Sequence, residues 1–96
     1  MKKELINAGF TIHEAICIEW QYKFAGGFQE NLLLLIRRAD SGNKLKLSRG
    51  FHDEVLAMRL FQEEPGWWQE VEARYLNYIN PSNGQNKLDN EIRVRY

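Results

Sequence analysis

The chain has few of the residues that build covalent cross-links and metal sites. Among its 96 residues are one cysteine, two histidines and two prolines. Cys17 therefore has no internal disulfide partner, and a thiolate zinc site would need further cysteines that the sequence lacks. No HExxH, GxSxG or CxxC motif is present, and no glycine-rich stretch is expected to open a phosphate-binding helix. We predict no metal site and no cofactor.

Long hydrophobic runs are missing too, as is an excess of either charge. The longest apolar run, at 32–36, has five residues, far short of the roughly 20 that a membrane-spanning helix needs. Lys2 and Lys3 are not followed by the apolar segment of a signal peptide, so we expect a soluble, cytoplasmic protein. Thirteen basic and thirteen acidic residues cancel, which argues against a strongly electrostatic nucleic-acid binder but leaves room for a local basic patch.

Alternating apolar residues dominate the first half of the chain and predict a sheet. Residues 16–24 carry apolar side chains at every even position, a period typical of a strand with one buried face. The glycines at 26–27 allow the chain to reverse, and the leucine-rich run that follows fits a strand covered on both faces. We predict an antiparallel meander of three strands at about 12–24, 31–39 and 44–48, with a turn at 40–43.

Elsewhere the sequence has a helical period. Residues 2–8 predict a short helix that ends at Gly9. Asp53 is the predicted N-cap of a longer helix, which ends at Pro65 because proline lacks an amide donor. Residues 67–79 predict another helix with one apolar stripe.

The end of the chain and the leucine run predict a dimer. A mobile loop at 80–90 precedes a predicted fourth strand at 92–96, which can pair within its own molecule or with a second one. The run at 32–36 has no period, so either its odd-numbered or its even-numbered residues face the helices. If the even-numbered ones face away, a second subunit is the simplest cover for them. The predicted fold is one α+β domain over residues 1–96: an antiparallel three-stranded meander plus a C-terminal fourth strand, with two helices packed on one face.

The function we predict first is binding of a protein partner by a non-enzymatic homodimer. Trp68 fits the buried stripe of its helix, so the adjacent Trp67 is either an exposed anchor for a partner or packs on the sheet edge or the preceding helix. The predicted partner-binding residues are Trp67, Glu63, Glu64 and Glu70.

A small enzyme built around His52 is a second alternative. His52, Asp53 and Glu54, with His13 and Glu14 earlier in the chain, come closest to a catalytic cluster. A histidine beside carboxylates can act as a general base. Because neighbouring residues on a helix point in different directions, we do not expect His52 and Asp53 to face one substrate.

The first alternative is a sheet-based nucleic-acid-binding domain. Residues 36–58 are predicted to run strand, turn, basic strand and then a helix that opens at Phe51. This order resembles the sheet-plus-helix DNA-binding domains of plant transcriptional regulators and of tyrosine-recombinase arm-binding domains. The resemblance implies that the sheet lies in the major groove, with basic side chains on bases and phosphates. The implied contact residues are Arg37, Arg38, Lys44, Lys46 and Arg49, with Lys23 on the neighbouring strand.

Overall fold

The structure, a computed structural model, describes residues 1–81, and all the regular secondary structure over that range is helical. The predicted α+β fold is therefore wrong for these residues, and the predicted strand at 92–96 lies outside them, as does nearly all of the predicted loop at 80–90. The six helices are α1 (Lys2–Asn7), α2 (Ile12–Gln21), α3 (Gly27–Arg38), α4 (Ser41–Ser48), α5 (His52–Glu63) and α6 (Trp67–Ile79).

The predicted first strand is α2, which begins at a capping box. The Thr11 hydroxyl accepts a hydrogen bond from the Glu14 N–H at 3.1 Å, and the Thr11 N–H donates to Glu14 Oε1 at 2.9 Å. These two bonds satisfy amide donors that the first turn of a helix leaves free. The local sequence therefore favours a helix at the point where the alternation had suggested a strand.

Burial on two sides explains why α2 looks like a strand in the sequence. Ile16, Cys17 and Trp20 pack in one apolar cluster, while Ala15 and Ile18 pack in another on the other side of the helix. The even-numbered residues are apolar in both kinds of structure, so they do not distinguish a strand from a helix. The distinction lies in consecutive burial: Ala15, Ile16, Cys17 and Ile18 are all buried, so burial extends around this part of α2 rather than along one face of a strand.

The predicted second strand is α3, and the burial of its leucines follows the helical period. Leu32, Leu33 and Ile36 are buried, whereas Leu35 is 55% exposed. Positions three and four apart lie on one side of a helix, so Leu33 and Leu32 each share a side with Ile36, whereas a strand would bury alternate positions. The glycines at 26–27 stand at the start of this helix, so the expectation that no helix follows them is also wrong.

The predicted turn and third strand together form α4. Asp40 is the N-cap, and its carboxylate accepts a hydrogen bond from the Asn43 N–H at 2.8 Å. No residue of α4 is buried. Leu45 is exposed and Leu47 is half-buried, although a strand would place these two on the same face. The short helix lies on the outside of the fold.

The three helices predicted from the sequence are confirmed, with one change at a cap. α1 ends just before Gly9, which has a φ of +107°, and α6 has the predicted bounds. α5 begins after Phe51 and has no side-chain cap. The Asp53 carboxylate, predicted to cap this helix, instead lies 3.1 Å from His13 Nε2.

Helices α2 and α5 form the centre of the described fold. α5 contacts α2, α3, α4 and α6, while α2 also contacts α1 and α6. The two apolar clusters lie on either side of α2. The first consists of Ile16, Cys17, Trp20, Leu32, Leu33, Ile36, Ala57 and Met58, and the second of Leu5, Phe10, Ala15, Ile18, Val71 and Tyr75.

This architecture removes the sheet on which one predicted function depended. Residues 36–58 are the end of α3, all of α4 and the first part of α5, so the resemblance to sheet-plus-helix DNA-binding domains does not extend to the fold. Among residues 1–81, no helix has the length and hydrophobicity needed to cross a membrane.

Candidate functional site

Basic side chains concentrate around α4 although the whole chain is neutral. Residues 37–49 hold five cations and one carboxylate, a net charge of +4. α5 adds Arg59, which lines a groove together with Lys44. We call this set the cationic surface: Arg37, Arg38, Lys44, Lys46, Arg49 and Arg59.

The side chains of the cationic surface form no ion pairs within residues 1–81. Over the same residues, none of these six side chains takes part in a side-chain hydrogen bond. The one carboxylate in the stretch, that of Asp40, is held by its capping bond to Asn43. Neighbouring like charges raise one another's electrostatic energy, and an anion placed among them lowers it.

Helix-end stabilisation accounts for part of this arrangement. Arg37 and Arg38 lie in the last turn of α3, and Lys46 lies in the last turn of α4. Positive charge at a helix C-terminus is favourable by roughly 0.3–1 kcal/mol because it faces the negative end of the helix dipole. Lys44 and Arg59 have no such role, and the set as a whole remains available to an anion.

Two grooves flank α4 and bring cations of the set together. The first, the Arg38 groove, has a volume of about 320 Å³ and lies between the end of α3 and α4. Arg38, Lys46 and Asn43 supply its polar groups, and its other lining residues are Leu35, Ala39 and Leu47. A groove with an apolar floor and two cations suits a ligand that has a flat apolar part and a negative charge.

The second, the Arg59 groove, lies on the α5 side of α4. It has a volume of about 530 Å³, and Lys44 and Arg59 both line it. Glu63 lines it as well, so this side of α4 carries both signs of charge. Its remaining lining residues are Ile36, Ser41, Leu45, Ser48, Val55 and Met58.

The predicted partner-binding residues gather at the corner between α5 and α6. Glu63, Glu64 and Glu70 are exposed, and none of them is in an ion pair among the described residues. Trp67 is half-buried and packs against both apolar clusters. Much of this indole therefore packs on the protein's own core. Partner binding at this corner stays a prediction.

The predicted catalytic histidines meet at one carboxylate. His13 Nε2 lies 3.1 Å and His52 Nδ1 lies 3.7 Å from Asp53 Oδ1. His52 and Asp53 are both exposed at the start of α5, and the expectation that they do not face one substrate stays a prediction. The two grooves beside α4 include none of these three residues, so the structure gives them no substrate-sized cavity.

Other reactive groups have structural surroundings. Burial raises the pKa of the Cys17 thiol to about 12, and its sulfur lies 3.6 Å from the Ala57 carbonyl oxygen as a donor. A buried thiol of this kind is a poor nucleophile because the thiolate is the reactive form. Over residues 1–81, no three histidine, cysteine or acidic side chains are grouped so that they hold a metal ion.

Comparison with known proteins adds no functional assignment. No protein-family model matches this chain, and no curated protein or solved structure is significantly similar to it. Of the five predicted nucleic-acid contacts, Arg38 and Lys46 line one groove and Lys44 lines the other, on helices rather than on a sheet, while Arg37 and Arg49 line neither groove. Sequence reasoning missed Arg59 and Asn43 as parts of the site. A helix predicted over 41–48 would have placed Asn43 beside Lys46, since residues three apart are neighbours on a helix.

Proposed function

We propose that this protein binds nucleic acid through the cationic surface around α4. The observation that supports the proposal most strongly is that six basic side chains, unpaired within residues 1–81, surround one short exposed helix of a neutral protein. Phosphate groups are the anions that such a surface suits, since Arg and Lys provide most backbone contacts in nucleic-acid complexes.

The zero net charge of the chain is compatible with this function. At physiological ionic strength the Debye length is about 8 Å, so charges farther away are largely screened. A bound phosphate therefore responds to the local +4 of residues 37–49 much more than to carboxylates on distant helices. The zero net charge of the chain predicts an association rate without electrostatic steering, and it does not predict weak contacts in the bound complex.

The position of α4 also suits this function. The helix packs on α5 but buries none of its own residues completely, and Asn43, Lys46 and Arg49 are exposed along it. Asn, Arg and Lys are the side chains that most often contact bases and phosphates. A rigid support with polar residues on its outer side holds the contact groups in place without using them for folding.

Fluorescence anisotropy with a DNA hairpin that carries a single-stranded tail tests the proposal, because this probe presents both forms of nucleic acid. We expect the double variant Arg38→Gln/Lys46→Gln to bind at least tenfold more weakly than the wild type. Losing two phosphate contacts should also reduce the slope of log K against log salt by about 1.4–1.8.

The matched control is the double variant Lys2→Gln/Lys3→Gln, which removes the same charge from α1. We expect this control to change the affinity less than twofold. Absence of binding by the wild type at 50 mM salt contradicts the proposal, as does an equal loss in the two double variants, which would indicate a response to net charge only.

A second candidate function, association of two copies, is favoured by the neighbouring charges of opposite sign. Glu63 lines the same groove as Lys44 and Arg59, and a face that carries both signs can complement a second copy of itself. Sedimentation velocity at 50 mM and 500 mM salt tests this. A dimer that dissociates at high salt, and is lost in Glu63→Gln/Glu64→Gln, supports it; a monomer at every protein concentration and salt contradicts it.

A further inference from the structure

We infer that the nucleic acid is single-stranded and that its bases stack on Phe28 and occupy the Arg38 groove. This inference rests on the proposed function and specifies the form of its ligand. The new observation is the outer face of α3, which consists of Phe28, Asn31, Leu35 and Arg38. Nothing in the cationic surface alone distinguishes a single strand from a duplex.

An exposed aromatic ring lies on the same face of α3 as the groove. Phe28 is 73% exposed, and Leu35, two helical turns further on, is 55% exposed and lines the Arg38 groove. Asn31 and Arg38 are also exposed. The spacing of these four positions, three, four and three residues, places them along one side of a helix.

The ring of Phe28 is held at one side only. Its centroid lies 6.3 Å from that of Phe51, at an interplanar angle of 53°. Phe51 is half-buried and packs against the first apolar cluster, so it provides a fixed neighbour. Most of the Phe28 ring remains in water, where a large apolar group gains from being covered.

The combined chemistry of this face matches a nucleotide. Phe28 offers an aromatic surface, Leu35 and Leu47 offer an apolar floor, and Arg38 and Lys46 offer positive charge beside that floor. A base is flat and apolar on its faces, and its phosphate is an anion. Asn43, which also lines this groove, has the amide donor and acceptor that pair with base edges.

A duplex would leave the apolar part of this face uncovered. In a duplex the base faces are stacked on one another, and only phosphates and groove edges reach a protein. A single strand can turn its bases outwards onto aromatic side chains while its backbone follows a positively charged groove. Phe28 and Leu35 are about 10 Å apart along α3, a distance that two or three nucleotides of a single strand span.

Anisotropy titrations with labelled 15-nucleotide oligo-dT, oligo-U and a 15-base-pair duplex, at 50 mM and at 150 mM salt, test the inference. We expect both single strands to bind more tightly than the duplex. Phe28→Ala and Phe28→Leu should each weaken binding of the single strands roughly tenfold and binding of the duplex less than twofold. Phe28→Trp should keep the affinity for single strands, and its indole emission should change on binding.

The matched control is Ile79→Ala, which shortens an exposed apolar side chain in α6, and circular dichroism confirms that each variant is folded. Equal affinity for duplex and single strands, or unchanged binding of single strands by Phe28→Leu, overturns the inference but leaves nucleic-acid binding in place. Absence of binding to all three probes at both 50 mM and 150 mM salt overturns the proposed function as well.

Discussion

Removal of the Glu14 carboxylate should destabilise the fold, because this one side chain joins the start of α2 to α6. Among residues 1–81, Glu14 is the one charged residue that is buried, with 9% of its surface exposed. One carboxylate oxygen accepts the Thr11 N–H at 2.9 Å, and the other accepts a hydrogen bond from Arg74. The Arg74 guanidinium also lies 5.2 Å from the centre of the Phe10 ring.

The size of the effect follows from these contacts. Glu14→Ala removes half of a capping box, which costs about 0.5–1 kcal/mol. It also leaves Arg74 without its partner. Because the Arg74 side chain is 45% exposed and water can replace the carboxylate, we discount the loss of this charge-assisted bond to about 1 kcal/mol. The total of about 1.5–2 kcal/mol lowers the Tm of a domain of this size by roughly 10 °C.

Urea denaturation followed by circular dichroism measures this change. Glu14→Gln, which keeps the shape and removes the charge, should lose about 1 kcal/mol, and Glu14→Gln combined with Arg74→Met should show coupling of roughly 1 kcal/mol in a double-mutant cycle. Glu63→Ala is the exposed control and should stay within about 0.5 kcal/mol of the wild type. A Glu14→Ala variant as stable as this control would refute the reasoning.

Three further predictions concern the fold. Lys23 has a φ of +67°, a conformation that costs a non-glycine residue about 1 kcal/mol. Lys23→Gly removes this cost but also loses an exposed 3.4 Å ion pair with Glu30, so the unfolding free energy should rise by about 0.5 kcal/mol. A lower Tm would contradict this. Burial raises the pKa of the folded Cys17 thiol to about 12, whereas the unfolded thiol loses its proton near pH 8.5. The contribution of this thiol to the free energy of unfolding is therefore complete below about pH 8.5 and is lost as the pH rises towards 12. Between pH 8 and 10 the wild type should lose about 2 kcal/mol more in urea denaturation than Cys17→Ala does, whereas equal losses would contradict the buried neutral thiol. Ile36→Ala, at a fully buried position, should cost about 3 kcal/mol in the same assay, while Leu35→Ala costs less than about 0.5 kcal/mol; the reverse order would indicate a different helical phase.

The sequence contained a local signal for α2 that outweighs its alternation. Thr11 followed three residues later by Glu14 is a capping-box pattern, and it stands directly before an apolar segment. The alternation of Ile16, Ile18 and Trp20 is real, but it is what a helix buried on both sides also produces. Periodicity alone does not distinguish a strand with one buried face from a helix buried on both sides, whereas the capping-box pattern at the start of α2 does.

Two other segments show why short apolar patterns mislead. Asp40 followed three residues later by Asn43 forms an N-cap in the structure, although the same Asp, Ser, Gly and Asn residues are typical of turns. All five residues of the run at 32–36 are apolar, so the sequence does not show which of them are buried. The packing of α3 against α5 decides this. The helices with polar and apolar faces, α5 and α6, were predictable because their period is complete over three turns.

The candidate site was predictable in its residue types but not in its shape. Arg37, Arg38, Lys44, Lys46 and Arg49 are close in sequence, so any compact fold keeps them near one another. The Arg38 groove depends on how α3 and α4 meet, and Arg59 joins the cationic surface only through the packing of α4 on α5. Neither contact follows from spacing along the chain.

Nucleic-acid binding by the cationic surface is tested most directly by an amide-resolved NMR titration at physiological salt. The probe is the tailed DNA hairpin, added to the ¹⁵N-labelled full chain. We predict saturable shifts confined to the outer face of α3, residues 37–49 and Arg59, with the amides of α1 and α6 unchanged. Shifts centred on Glu63, Glu64 and Glu70, or no shifts at all, would contradict the account.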